Sequence, residues 1–303
     1  MSSQRIYLGG AELELSFPGA VPEELKASVF AEPKNLAAGN SIRTHIEISY
    51  EPISKSETKA WISEPKLLDT GVSWAVQRRE DEEFPFHIAP SQSANYRTDS
   101  LHLFASHNFD RMKIFCGPWR NRFYESWLFY PYEQCVMFHF FQFHGAAVMH
   151  ASGVEVDGKG YLFLGDSGAG KSTISTFFEE KIGEGKVYSD DRIVVREVNG
   201  KWMMYGTPWH GTFARIKPEG IEIAGMFFIE KTDKHELDRI QPEAALRRLL
   251  PVTFGTWWLP ERMQEHLNFV ERVAKQKQFP LCRLGFAPDA SVVDFVRENF
   301  AVL

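Results

Sequence analysis

The sequence predicts an α/β protein in which a mixed-sheet domain, built around a glycine-rich strand-to-helix turn, follows a β-rich N-terminal domain. Three observations predict it. Period-2 segments dominate the chain before about residue 125. Residues 161–173, YLFLGDSGAGKST, run from the apolar tetrad Tyr161–Leu164 through a glycine-rich turn into helical spacing at Thr173, Ile174, Phe177 and Phe178. Two turn signals, Asp157-Gly158-Lys159-Gly160 before that loop and Asn199-Gly200 after it, join strands too closely for a crossover. Antiparallel neighbours must therefore enter the sheet. The boundary is placed between residues 1–127, the β-rich part, and residues 128–303, the part that holds the loop and a helical C-terminal tail.

In chain order, strands are expected at Arg5–Leu8, Glu12–Phe17 and Thr44–Tyr50, with one short helix opening at Pro22-Glu23-Glu24-Leu25. Leu101–Ala105 and Met112–Cys116 flank His107-Asn108-Phe109-Asp110 and read as a hairpin. Tyr132–Phe143 is apolar on nearly every side (Val136, Met137, Phe138, Phe140, Phe141), as a helix packed between layers must be. Ala146–Val156 is a strand that turns back into the strand entering the loop. After the loop helix come strands at Val187–Asp191, Ile193–Val198, Trp202–Tyr205 and Ile221–Ile229. The tail alternates helices at Pro242–Leu250, Pro260–Lys275 and Ala290–Phe300 with a strand at Leu281–Phe286.

Composition narrows the function classes. With 303 residues, 44% of them hydrophobic, the chain can bury a large core, and disorder is not indicated. A net charge of -6 without a Lys/Arg block gives no electrostatic footprint for nucleic acid or an anionic membrane. Cys116, Cys135 and Cys282 lack metal-ligand or redox spacing and read as reduced, buried thiols of a cytoplasmic protein. The N-terminus has no apolar signal core, and no stretch approaches the ~20 apolar residues of a membrane span. Clustered histidines and a Gly-x-Ser-x-Gly elbow are missing, which argues against a zinc enzyme or a serine hydrolase.

The loop carries the chemistry. Gly165-x-x-x-x-Gly170-Lys171-Ser172 between a strand and a helix points backbone N–H groups at one spot, and the positive end of the helix adds to them. Gly165, Asp166, Ser167, Gly168, Ala169, Gly170, Lys171, Ser172 and Thr173 are therefore expected to bind a nucleotide. Lys171 would reach the outer phosphates, and the Ser172 hydroxyl would ligate Mg²⁺. Phosphoryl transfer also needs carboxylates, and Asp190-Asp191, at the end of the next apolar strand, supplies two. Adjacent strand residues face opposite sides, so the pair should divide its duties: Asp190 as general base, Asp191 as the Mg²⁺ partner.

The joint spacing of His150, the loop and the segment Ser189-Asp190-Asp191-Arg192 resembles the C-terminal catalytic domain of HPr kinase/phosphorylase, whose layout is related to that of phosphoenolpyruvate carboxykinases. The resemblance covers roughly residues 130–230. It implies a serine kinase using ATP and Mg²⁺, with the first Asp as base and His150 beside it, and it leaves room for a homo-oligomer because that family forms ring-like assemblies. The Glu-Ile-Arg-Gly-Leu-Gly-like segment of the HPr-directed enzymes is replaced by Gly206-Thr207-Pro208-Trp209-His210-Gly211-Thr212. HPr is accordingly not the expected acceptor. Together with Gln241–Leu246, this stretch resembles divergent HPr-kinase-like proteins, some of which serve peptide-modifying pathways. The acceptor is expected to be a peptide, protein or small-molecule hydroxyl, with a serine favoured through the resemblance.

Further candidates are His144 and His210 near the site, Arg192, Arg215 and Lys217 as phosphate clamps, and Trp119, Trp127, Trp257 and Trp258 as an acceptor surface shared with the N-terminal domain. Two other readings stay open. Ile229-Glu230-Lys231-Thr232-Asp233 faintly matches the guanine-reading Asn-Lys-x-Asp motif of nucleotide switches, although Glu230 replaces its amide and the expected Asp-x-x-Gly switch segment is missing. The third reading is an ATP-binding protein without transfer.

Overall fold

The computed structural model describes residues 1–17, 42–52, 54–71, 74–91, 101–116, 132–209, 211–213, 217–256 and 258–300. The helix expected at Pro22, together with Trp119, Trp127, His210, Arg215 and Trp257, lies outside these residues.

The fold is mixed α/β, with two mixed sheets. In the first, β1 (Ser2–Leu8) and β2 (Ala11–Phe17) form a hairpin through Gly9 and Gly10, at φ 58° and 74°. Next come β3 (Ile42–Pro52), α1 (Lys55–Ile62), β4 (Leu68–Asp69), β5 (Trp74–Arg78), β6 (Phe86–Pro90), β7 (Leu101–Ala105) and β8 (Arg111–Cys116). Their order across the sheet is β1-β2-β3-β8-β7-β6-β5-β4, antiparallel except where β3 runs parallel to β2 and β8. The β7–β8 hairpin turns over the segment read from sequence, with Phe109 at φ 58°. Hydrophobic periodicity does not reveal α1. A capping box starts it, in which Ser54 Oγ accepts from the Glu57 amide and the Glu57 carboxylate accepts from the Ser54 amide.

The second half comprises α2 (Tyr132–Phe143), β9 (Ala146–Val156), β10 (Lys159–Leu164), α3 (Lys171–Ile182), β11 (Val187–Ser189), β12 (Arg192–Val198), β13 (Lys201–Gly206), β14 (Ile221–Lys231), β15 (Glu236–Arg239), α4 (Pro242–Leu249), β16 (Thr253–Phe254), α5 (Pro260–Lys275), β17 (Leu281–Phe286) and α6 (Ser291–Phe300). Its sheet is mixed, as the turn signals require: β10 pairs antiparallel with β9 and parallel with β14. The eleven-residue β9 gives its first half to β12 and its second half to β10. The equally long β14 begins against β13 and continues against β10 and β17. Together with the β12–β13 hairpin, these pairings close a circuit, β10-β9-β12-β13-β14 and back to β10. Its interior is tight: a methyl on Gly153 would lie 2.8 Å from Ile193 Cδ1, so a larger residue there would make that side chain shift.

Three apolar clusters fix the layers. One joins the first sheet to α2 and continues to Val148, Val194 and Tyr205 of the second. Another lies between the circuit and α4–α5, and the third lies under α3 and α6. Buried contacts therefore cross the expected 127/128 boundary, and the Arg196 guanidinium crosses it too, donating to the Gly10 carbonyl at 2.9 Å. Trp258, expected at an exposed helix edge, is instead 7% exposed and packs edge-on against Phe86 of the first sheet. A large apolar ring next to Leu259 and α2 gains more from that core than from water. Cys135 and Cys282 are buried free thiols. No helix among the described residues is long and apolar enough to cross a membrane.

The first sheet and α2 bury histidines at low dielectric. His87 and His102 are fully buried, share a 2.8 Å Nε2···Nδ1 hydrogen bond, and are enclosed by Trp61 and Phe104. Burial, and then the charge of His102, pushes His87 down to about 2; burial pushes His102 to about 4. His139, against Phe109, is pushed to about 3 by burial and then by Arg262. Below the ordinary value of 6.5, the unfolded chain takes up protons that these folded imidazoles refuse. Stability is then full above about pH 7 and falls as pH drops towards 4, by up to ~1.4 kcal/mol per pH unit for each such histidine. His139→Leu should flatten that decline in urea denaturation between about pH 7.5 and 5; an unchanged slope would mean that His139 does not titrate as its burial requires.

Candidate active site

At the carboxyl end of β10 the chain leaves the sheet as the Gly165–Gly170 loop and enters α3 at Lys171. Two features force glycine here. Gly168 and Gly170 stand at φ 84° and 109°, and a methyl on Gly165 would lie 2.7 Å from the Ala169 Cβ. The loop is braced by Ala169 N donating to Asp166 O at 3.1 Å, and the helix starts with Ile174 N donating to Gly170 O at 2.9 Å. Gly170 at the N-cap offers no side-chain acceptor to the first helical amides. Lys171, 6% exposed, turns its Nζ back to donate to the carbonyls of Gly165 at 2.8 Å and Asp166 at 3.0 Å. Burial pulls its pKa below the ordinary lysine value, and Asp191, Asp166 and Asp190 oppose that pull.

Asp190 and Asp191 occupy the bend between β11 and β12, where the Ser189 hydroxyl accepts from the amides of Asp191 and Arg192 at 3.4 and 3.3 Å. Because the bend breaks the strand, the two carboxylates do not take opposite faces as the strand reading expects. Both line one cavity of about 250 Å³ with His150, Ser167, Lys171, Ser172 and Lys231. Their surroundings differ. Asp190 is 1% exposed, and each oxygen accepts twice: Oδ1 from the amides of Gly211 (2.8 Å) and Phe213 (3.4 Å), Oδ2 from the Ser172 hydroxyl and the Thr212 amide (both 2.8 Å). Burial raises its pKa, but these four donors outweigh it and hold the carboxyl below the usual range. Asp191, with its side chain 32% exposed, faces His150 Nε2 at 3.2 Å through Oδ1 and Arg192 Nε at 3.3 Å through Oδ2. Burial raises its pKa as well, and the His150 hydrogen bond, then Arg192, brings it below the ordinary value.

Strand register places His150. It pairs with Arg192 across β9 and β12, and Ala151 N donates to Asp191 O at 3.1 Å, so the imidazole lies beside the second acid of the pair. The clamp on Asp190 comes from the loop that begins at Gly206, the stretch that departs from the resembled family. Gly206 N donates to Lys217 O at 3.0 Å and closes its ends. A methyl on Gly206 would lie 2.5 Å from Tyr188 O, and one on Gly211 would lie 2.9 Å from Asp190 Oδ2. Sequence reasoning did not find this role. Two glycines bracketing a Thr-Pro-Trp stretch were the available signal.

Two expected phosphate clamps have other partners. Lys217 binds Glu155 at 3.1 Å through one carboxylate oxygen, and Lys186 binds the other at 2.8 Å. Arg192 is turned onto Asp191 and lies over the rings of Phe254 (4.7 Å) and Phe138 (5.6 Å). His144 ends α2 against Phe140 and does not line the cavity. Among the described residues no group of three or more His, Cys, Asp or Glu is placed to hold a metal. The Ser172–Asp190 contact does bring together a hydroxyl and a carboxylate, the hard oxygen donors that suit Mg²⁺ when phosphate oxygens complete its shell.

Asp190→Asn puts an amide group into a ring of four donors, and leaving one of them unmet costs about 1–3 kcal/mol. The same change at the half-buried Asp191 should cost clearly less. Urea denaturation of both variants checks the difference, and equal losses would mean that the clamp does not hold residues 211–213.

No protein-family model matches the chain and no curated protein matches it, so the chemistry of the site has to be read from its own atoms.

Proposed function

We propose that the chain is an ATP- and Mg²⁺-dependent phosphotransferase acting on a hydroxyl, with a serine of a peptide or protein favoured as acceptor. One observation carries the reading: Lys171 and Ser172 of a glycine-rich strand-to-helix loop share a single cavity with two carboxylates held in different ways. The loop amides and the start of α3 would cradle the phosphates. Lys171, which donates to two loop carbonyls, would exchange them for phosphate oxygens. When bound with the nucleotide, Mg²⁺ supplies neutralisation of the charge that builds on the phosphate oxygens.

The hydrogen bonding favours a division of duties opposite to the one expected from sequence. A general base needs an accessible lone pair. Asp190 is buried with both oxygens taken and accepts from the Ser172 hydroxyl, so it suits the Mg²⁺ side by orienting Ser172, whose own oxygen keeps lone pairs for the ion. Asp191 is more open and is oriented by His150 and Arg192, which suits the acceptor side. The acceptor oxygen would attack the terminal phosphorus as its proton passes to Asp191, with His150 steadying the charge on that carboxylate, and ADP would leave. The guanine-switch reading is weakened because Glu230, at the position of the base-reading amide, is engaged by Arg248 at 2.8 Å and Arg283 at 2.9 Å.

At about a hundredfold excess over Kd, MgATP should stabilise the fold by about 2.7 kcal/mol, and Lys171→Ala should remove most of that gain. A melting temperature that no nucleoside triphosphate moves would overturn nucleotide binding. With radiolabelled ATP, an acceptor label identifies a transferase, free phosphate alone a switch, and binding alone a non-enzyme. Asp191→Asn should lower transfer by about 10²–10⁴-fold. If Asp190→Asn does so at saturating Mg²⁺ and Asp191→Asn does not, the base is Asp190.

A further inference from the structure

Lys231 has no role in the reading above. It ends β14, the strand parallel to β10 on the side away from β9, and so stands across the loop from Asp190, Asp191 and His150. Its backbone is fixed by position: it pairs with Phe286 of β17, and the next amide, Thr232 N, donates to Phe286 O at 3.0 Å. Its side chain leans on the end of the loop, where a methyl on Gly170 would lie 3.3 Å from Lys231 Cε. The residue is exposed to the cavity it lines.

Several neighbouring charges are already engaged. Glu230 is held by Arg248 and Arg283, Lys234 by Glu236, and Arg192 by Asp191. Lys171 donates to loop carbonyls. Of the two ammonium groups that line the cavity, Lys171 and Lys231, Lys231 has no hydrogen-bond or ion-pair partner among the described residues. The two cavity carboxylates do not supply one, since Asp190 is saturated by four donors and Asp191 faces His150 and Arg192.

An ammonium fixed at the rim of an anion-binding loop and opposite the acids has charge left for an anion. We propose that Lys231 is a second phosphate-binding cation, contacting the part of the nucleotide that leaves as the diphosphate rather than the phosphoryl group that is transferred. The inference rests on the nucleotide-binding reading of the loop. Its side of the loop gives the distinction: the terminal phosphate must approach Asp191 and the acceptor, and Lys231 lies on the opposite flank. Its contribution therefore belongs to ADP and ATP alike.

Titration calorimetry with MgADP and MgATP on the full chain tests this, using wild type, Lys231→Gln and Lys231→Arg, with circular dichroism to confirm folding. Loss of one charge-assisted phosphate contact should weaken both nucleotides by about tenfold in Lys231→Gln, with most of the affinity retained in Lys231→Arg. The affinity lost should shrink as salt rises from about 0.05 to 0.5 M. If wild type binds nucleotide and Lys231→Gln binds ADP equally well, the inference fails while the reading of the loop stands. A loss confined to ATP would place Lys231 at the transferred phosphate and overturn the side assigned to it. Wild-type protein that binds neither nucleotide would remove the reading itself.

Discussion

A buried, ionised carboxylate sets the conditions for the rest of the site. Asp190 is 1% exposed yet held in its charged form, which is tolerable only where hydrogen-bond donors replace the lost water. Four do so, and they come from separate parts of the chain: Ser172 at the start of α3, and the amides of Gly211, Thr212 and Phe213 in the loop that follows β13. One side chain thus ties the glycine-rich loop's helix to residues 211–213. The glycines at 206 and 211 follow from this, because any side chain there would collide with Tyr188 O or with the carboxylate itself.

The circuit of strands supplies the other half of the site. β9 passes from β12 to β10 just after His150, and the register there sets His150 opposite Arg192 and next to Asp191. Because β10 lies between β9 and β14, the same arrangement puts the acids on one flank of the loop and Lys231 on the other. Charge is thereby sorted across the cavity by strand order, with Lys171 at its centre. The apolar clusters on both faces of the sheet hold that order, since slipping β9 by one residue would send Met149 and Val148 to each other's side.

Much of this was legible in the chain. The Asp157-Gly158 and Asn199-Gly200 turns put non-glycine residues at φ 49° and 51°, where Asp and Asn tolerate the left-handed region, and so antiparallel pairs next to the loop could be read from two dipeptides. Helices α2 and α5 have the limits their periodicity indicated. Two expectations differ from the structure, each for its own reason. Asp190 and Asp191 were given alternate faces because a continuous strand was assumed, whereas Ser189 caps a bend there. Lys217 and Arg192 read from sequence only as candidate phosphate clamps, because sequence shows a charge without its partner, and Glu155 and Asp191 hold them.

By itself the sequence determined the local pieces: the glycine-rich turn and the helix after it, the hairpins around it, and the presence of two acids and a histidine at suggestive spacing. These depend on backbone propensity and short-range hydrogen bonding, which a few neighbouring residues settle. Only the tertiary structure decided which acid is sealed and which is open, which cations are engaged, and how the first sheet is joined to the second through α2 and the Arg196–Gly10 contact. Those depend on burial and on partners up to 186 residues apart, and a carboxylate's character is set by the donors that replace its water.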